Sequence, residues 1–456
     1  MSIINNALSA SLAAQAAVSA SSENIANLQT PGYTRQGVLL GALGPSGARS
    51  AGNGVEVSAL LRFSDAYKSQ QMWRAASDQG QRSQTQPYLT QLEQVMGDEV
   101  SSISAGVDGF FRALNAAGVD PTSSPLRQQV VTAADAMAQH FNSIYNVLNN
   151  QLLSVQQQRA AILPQANTTL SNIAALNQKI SASAASGANV SSLIDARDQA
   201  IDGLAAHMAL EVTDQPDGSR DVTLKSGQPL VIGSLAGTLS SSLDASGAQV
   251  LSLQFSTSSF ALDNVGIGGQ LGGLGDFERN VLKPMQQSVA AIANQLGADI
   301  NTVLAAGQTM GPPPVGGPPL FAPPNSAGLM SIVAGFSAAD LAFSQDGTPG
   351  DSKNLQELIK VKNLSVTLPT IGSVLIGDAD TQMAGKLGIT SQQNQALLGT
   401  ATTVRNQAVA DWQSTSGVNK DEEAVALLTF QNMYSANMKV ISVANDMFDA
   451  TLAMLR

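Results

Sequence analysis

A mainly α-helical protein with a β-rich insert is what this chain predicts, on three observations. Residues 3–28 and 420–455, at opposite ends, both carry sparse, coiled-coil-like apolar spacing. Between them, Met137, Phe141, Ile144, Leu148, Val155 and Ile162 recur in three- and four-residue steps, the period of a packed helical face. At Leu210 the period drops to two, the mark of half-buried strands. The expected architecture is therefore a coiled-coil-like domain of terminal helices, a long-helix bundle and a small antiparallel β outer domain.

Ser2 is a candidate cap for the first helix, which carries Ile4, Leu8, Val18 and Ile25 on one register. Ser11, Gln15 and Ser22 fill the other positions of that register, so the seam is weak and the helix needs tertiary partners. Pro31 and Gly32 end it: proline disfavours helix in the residue before it and glycine permits reversal. Residues 34–63 then alternate weakly through Val38, Leu40, Val55 and Val57, with Asn53-Gly54 as the predicted hairpin turn.

Residues 64–205 read as mostly helical. Asp120-Pro121 and Ser124-Pro125 mark a turn before the long helix, and Pro164 should kink or break it. Leu210/Val212, Val222/Leu224, Leu251/Leu253/Phe255 and Phe260/Leu262 alternate as strands, with turns at Pro216-Asp217-Gly218 and Ser246-Gly247. Glycines crowd 266–275 and lead into helix near 276–305. Residues 311–324 hold seven of the eighteen prolines and read as a linker or exposed loop of extended character. A short helix is expected at 352–361 and a longer one at 378–415, stopping at Ser416-Gly417.

The last helix is the best-formed element. Asn419 can cap it with Glu422 three residues on, and Asp421, Glu422 and Glu423 set negative charge against the positive end of the dipole. Tyr434, Ile441, Phe448 and Leu455 recur every seven residues, with Met433, Val440, Met447 and Met454 as the adjacent row. Leu427, Phe430 and Ala444 share these seams, which Asn437 and Thr451 interrupt. A strict seven-residue interval favours a left-handed coiled coil. At ~1.5 Å per residue the helix would run roughly 54 Å. The resulting domain division is 1–63 with 417–456 as a terminal polymerisation domain; 64–205, 269–306 and 376–416 as a helical domain; 206–268 as a β-rich insert; and 307–375 as a proline-rich linker and variable outer domain.

Composition narrows the function. A net charge of −11 without a basic cluster argues against nucleic acid, which needs cations to displace counterions, and against an anionic membrane surface. The chain has no cysteine, which excludes disulfides, thiolate zinc sites and a cysteine nucleophile. The first basic residue is Arg35, so the n-region of a secretory signal is missing. No catalytic, cofactor-binding or metal-binding constellation emerges. His140 and His207 stand far apart without an HxxxH or HExxH partner. Leu271 occupies the third glycine position of a GxGxxG after Gly266 and Gly268, and the stretch follows strands instead of opening a βαβ unit. Asp195-Ala196-Arg197-Asp198 reads as charge pairing along a helix surface.

Two terminal motifs carry a resemblance. Ser22-Glu23-Asn24-Ile25-Ala26-Asn27 followed by Thr30-Pro31-Gly32-Tyr33-Thr34-Arg35 resembles the N-terminal motif of bacterial flagellar rod, hook and hook-associated proteins, and residues 417–449 resemble the other end of the same superfamily. Residues 103–142, with Phe110-Phe111, Asn115, Asp120-Pro121, Arg127 and Phe141-Asn142, look like the helical domain of the family of the first hook-associated protein, the hook–filament junction proteins.

The resemblance implies a structural subunit of the flagellum with no enzymatic activity and no cofactor. It implies export unfolded through the flagellar type III channel, without signal cleavage, to an extracellular position. There, copies would form a ring, with the hook protein on one side and another hook-associated protein on the filament side. It puts Ile4, Leu8, Val18, Ile25, Leu427, Phe430, Tyr434, Ile441, Phe448 and Leu455 in the assembly interface, and Gly32 and Gly417 at hinges. A chaperone is expected on the last helix before export. The alternative is a hook or distal-rod axial protein, against which the helical 104–205 region argues. An enzyme carried in 206–375 would need a metal or nucleophile set that this region lacks.

Overall fold

The computed structural model describes residues 2–44, 52–98, 100–245, 247–311, 313–325 and 328–454. Ser246, Leu455 and the side chain of Ser2, each used in the sequence reading, lie outside that set. Helix α1 (Ser2–Ala26) leads into a two-stranded hairpin of β1 (Gln36–Leu43) and β2 (Gly54–Arg62). Then come α2 (Ala66–Met96), α3 (Ile103–Ala117), α4 (Ser124–Ala185) and α5 (Ser191–His207). Asn53-Gly54 is not the hairpin's tight turn. Asn53 donates from its backbone to Leu43 and Gly54 opens β2, so the pair sits at the mouth of a longer loop.

Helix α4 is the spine of the body. Its 62 residues span about 93 Å at ~1.5 Å each. Pro164 lies inside it without ending it. A proline in a helix interior costs about 3 kcal/mol, and buried Ile162, Leu163, Ala166 and Leu170 on either side outweigh that. The Met137–Ile162 face is buried throughout, as its period predicts. Helix α3 packs on the first half of α4. The β insert packs on the second half as two antiparallel sheets, not one. The four-stranded sheet holds β3 (Leu210–Asp214), β4 (Arg220–Leu224), β5 (Pro229–Ile232) and β6 (Leu235–Ala236) in that order. The three-stranded sheet holds β7 (Thr238–Leu243), β8 (Gln249–Phe255) and β9 (Ser258–Leu262).

The glycine run becomes α6 (Gly269–Phe277), pressed against α2. A Cβ on Gly273 would lie 2.3 Å from the Gln81 carbonyl, so only glycine permits that approach. A π-helical turn, Glu278–Leu282, follows, and its Glu278 pairs with the fully buried Arg159 of α4 at 2.6 Å. Then come α7 (Lys283–Ala306), the short β10 (Phe321–Ala322) and β11 (Ser331–Ile332), α8 (Lys353–Lys360), the hairpin β12 (Ser365–Leu368)–β13 (Gly372–Leu375), α9 (Ala379–Ser416) and α10 (Lys420–Met454). The proline-rich stretch does not hang free. Leu320 and Phe321 are buried, and β10 lies along α7 and pairs with β11.

Helix-borne asparagines fasten extended chain to these helices. Asn167 accepts from the Leu239 amide at 2.8 Å and donates to the same residue's carbonyl at 2.9 Å. Asn301 does the same to Phe321, Asn142 to Met330 and Asn177 to Arg220. A carboxamide offers one acceptor and two donors, so it satisfies an extended residue as a neighbouring strand would. One contiguous hydrophobic core runs from Trp73 to Leu387 and contains no described residue of α1 or α10. The terminal helices stand outside it.

Asn177 also donates to the Gly233 carbonyl and accepts from Arg197. Asn177→Ala should lower unfolding stability by about 2–3 kcal/mol, since several buried polar groups lose partners. Urea denaturation of the full chain measures it.

Candidate assembly surface and its joint to the body

Helices α1 and α10 pack antiparallel on each other, and α1 also rests on the β1–β2 hairpin. The buried stripe of α1 is small: Ala7, Ser11, Ala14, Ala17 and Ser21. Small side chains let helices approach closely. Of the α1 residues expected at the interface, Ile4, Val18 and Ile25 are half-buried beside that stripe, and Leu8 is exposed with Ile3 and Leu12.

On α10, Leu427, Phe430 and Ile441 are half-buried, while Glu423 and Ala444 are buried. Tyr434 lies at the edge of this face, 38% exposed. The second row, Met433, Val440, Met447 and Met454, is exposed. Beyond Ala444 every described side chain of α10 is exposed, Phe448 at 63% and Met454 at 86%. Helix α10 has 35 residues and α1 has 25, so α10 overhangs by 35 − 25 = 10 residues, about 15 Å at ~1.5 Å each. Apolar rows of this extent left open to water mark an interaction surface.

The motif between α1 and β1 builds the joint. Asn24 is buried and clamps Gln36, donating to its carbonyl at 2.8 Å and accepting from its amide at 3.0 Å; the Tyr33 hydroxyl donates to Asn24 Oδ1 at 2.9 Å. Asn27 donates to Glu23, and Thr30 donates to Asn27, which closes the end of α1. Pro31 and Gly32 carry the chain to α5, where Gly32, at φ +78°, comes against Gln199. Partial burial, then the negative charge of Glu23 and Asp195, pushes the Tyr33 hydroxyl up to about 12.

Asp195 and Asp198 are more than helix-surface charges. Asp195 accepts the Thr34 amide at 3.1 Å and the Arg62 guanidinium at 2.7 and 2.9 Å. Asp198 meets Arg62, Arg197 and Arg220, while Arg197 donates to the Gly218 carbonyl. The cluster ties the N-terminal segment, α5 and the β insert together. Sequence spacing missed it because its partners are more than a hundred positions away for Arg62 and about twenty for Arg220. Burial lowers Arg197 to about 10, which still leaves it charged at neutral pH.

Arg35 completes the joint. Its guanidinium pairs with Glu422 at 2.7 Å and lies 4.4 Å from the Phe63 ring centre. Its amide donates to the Ser416 carbonyl at 2.8 Å, and its carbonyl accepts from Phe63 at 3.0 Å. Asn419 caps α10 by accepting the Asp421 amide at 3.0 Å and donates to Glu422 at 3.3 Å. Gly417 sits close under the Gln413 carbonyl at the end of α9.

His140 is half-buried on α4, and His207 bonds Gln270 at 2.8 Å. Among the described residues no group of three or more His, Cys, Asp or Glu could hold a metal, and no helix is long and apolar enough to cross a membrane.

Comparison with known proteins agrees with this geometry. The family model described as the flagellar hook-associated protein FlgK helical domain matches residues 89–321, just over half the chain. A model described as the flagellar basal body rod FlgEFG protein C-terminal matches residues 412–454. The chain is 26% identical to flagellar hook-associated protein 1 of Escherichia coli strain K12, over 99% of each chain. It is 24% identical to that of Bacillus subtilis strain 168, over 96% of this chain and 95% of the other. Its fold is similar to that of the flagellar hook junction protein FlgK from Burkholderia pseudomallei, with a TM-score of 0.67 and 16% identity over 76% of this chain and all of that one.

Two outcomes follow from the joint. Asp195→Ala leaves Arg62 buried without its main partner, so unfolding stability should fall by about 3 kcal/mol in urea titration. The Tyr33 hydroxyl holds its proton longer folded than unfolded, so its contribution is complete below pH 10 and is lost as pH rises from 10 toward 12. Ultraviolet titration of tyrosinate should lose a component near pH 12 in Tyr33→Phe.

Proposed function

We propose that this chain, which belongs to the flagellar hook-associated protein FlgK family, is the structural subunit joining hook to filament and acts by burying its terminal helices between copies. The observation that carries this is the pair α1/α10, which lies outside the core and leaves the outer row and overhang of α10 uncovered. One row of α10 serves the chain itself, through Leu427, Phe430 and Ile441. The other row and Phe448 serve neighbours.

Copies arranged in a ring bring these rows together and remove their apolar area from water, at roughly 25 cal/mol per Å². Tyr434 lies at the boundary between the two roles. Leu455 continues the seven-residue interval from Phe448, one residue past Met454, and falls outside the described residues. The body, held by its own core, stays folded during assembly and presents one face to the hook protein and the other to the next hook-associated protein. Export precedes assembly: the chain leaves unfolded through the flagellar type III channel, and a chaperone covers the α10 rows until then. The family membership and the long α-helical body favour this reading over a hook or rod subunit.

Phe448→Asp places a charge on the overhang without disturbing the folded chain. Ile441→Asp places one between α10 and α1. Both should abolish filament attachment while the body unfolds as before in a denaturation curve. Electron microscopy should show hooks without filaments, with flagellin shed into the medium; normal filaments in both variants would contradict the assignment. Met433→Leu and Met447→Leu should leave assembly intact, because they nearly conserve volume.

A further inference from the structure

The terminal unit of α1, the hairpin and α10 is joined to the body by two covalent crossings. One runs from β2 into α2 through Phe63; the other runs from α9 into α10 through residues 417–419. Arg35 touches both. Its carbonyl accepts the Phe63 amide and its amide donates to Ser416, the last residue of α9. Its guanidinium stacks on Phe63 and reaches past the 417–419 break to Glu422 in the first turn of α10. The backbone of Arg35 thus holds the α9 side of the break while its side chain holds the α10 side.

Open space lies beside this residue. A solvent-open cleft of about 360 Å³ is lined by Arg35, Phe63, Glu422, Glu423 and Phe430. A second, of about 240 Å³, lies nearby under Pro31 and Gly32 between Trp73, Asp202, Arg405 and Trp412, and does not touch Arg35 itself. Buried polar atoms gather at the same place: Thr34 Oγ1, Arg35 Nε and Ser416 Oγ have no hydrogen-bond partner within the chain. A joint with open space beside the residue that bridges it and unmatched polar atoms at its centre is not packed for a single position.

We infer that Arg35 is a latch: its side chain locks the terminal unit at one angle to the body, and its release lets that unit swing about residues 417–419. This rests on the assembling role proposed for α1 and α10 and adds to it how their orientation is set. An exposed ion pair alone is worth little. The stacking on Phe63 and the position across the break make the side chain decisive here. The latch lets one subunit meet neighbours at more than one inclination while both helices stay intact.

The test uses the full chain in dispersed form. Because the chain has no cysteine, paired spin labels can be placed uniquely. Ser19→Cys on α1 with Ser171→Cys on α4 reads the angle between unit and body; Ser19→Cys with Ser435→Cys reads the α1/α10 pair itself. All three serines are exposed. Electron–electron resonance should give a single narrow distance for both label pairs. Arg35→Ala and Glu422→Ala should each lose the narrow unit-to-body peak while the within-pair peak stays unchanged, and Arg35→Lys should recover part of it. An unchanged unit-to-body peak in both alanine variants would overturn the latch, as would a broad one in the unsubstituted chain. Loss of the within-pair peak in Arg35→Ala would also overturn it, by making Arg35 a support of the helix pair instead. None of these outcomes depends on filament attachment, so failure of the junction role in cells would be seen separately.

Discussion

A helix with apolar residues on two adjacent rows cannot bury both against one shorter partner. Helix α10 repeats apolar residues every seven positions on two rows, and α1 covers only one of them, over only part of the length. Everything at the ends of this molecule follows from that mismatch. The intrachain pair aligns the two helices and leaves the second row of α10 open to water, which is the surface the proposed assembly would cover. Charge does not oppose this: between Glu423 and Asp446 the only charged side chain of α10 is Lys439, so copies can lie side by side with little repulsion.

The body solves a different problem. Aromatic residues are 4% of the chain, so large side chains cannot by themselves define how strands and loops sit on the helices. Asparagines do so instead. Asn24, Asn142, Asn167, Asn177 and Asn301 each take both backbone groups of one extended residue. A misregistered strand would leave those groups unpaired, so the clamps supply specificity where hydrophobic volume is scarce. Asn24 uses the same device at the joint as Asn167 uses in the β insert, and thereby links the motif after α1 to the logic of the body.

Elements with a long, regular apolar period were legible from residue spacing alone. Helix α4 and helix α10 are the clearest cases, and Asn419 caps α10 as its position relative to Glu422 implies. The stripe that α1 buries within the chain was not legible, because it is alanine and serine, which read as filler between Ile4, Leu8, Val18 and Ile25. Strand β7 was missed for a similar reason: Thr238–Leu243 is mostly polar and is held by its pairing with β8 and by Asn167. Proline content at 311–324 pointed to an exposed, extended loop, and most of its described residues are exposed; what it did not signal is that Asn301 and the α7 surface fasten the buried Leu320 and Phe321. At the joint, the motif residues Asn24, Tyr33 and Arg35 were visible through their resemblance to a family, whereas Asp195, Ser416 and Glu422 become partners only once the chain has folded.

The claim at the centre of this account is that α10 is only partly covered within one chain and fully covered in the assembly. Hydrogen–deuterium exchange followed by mass spectrometry, on dispersed chain and on junctions isolated with hook and filament attached, reads that directly. The account predicts fast exchange beyond Ala444 in the dispersed chain, slow exchange across 420–454 in the junction, and no change over α4. Equal protection of residues 445–454 in both states would contradict it.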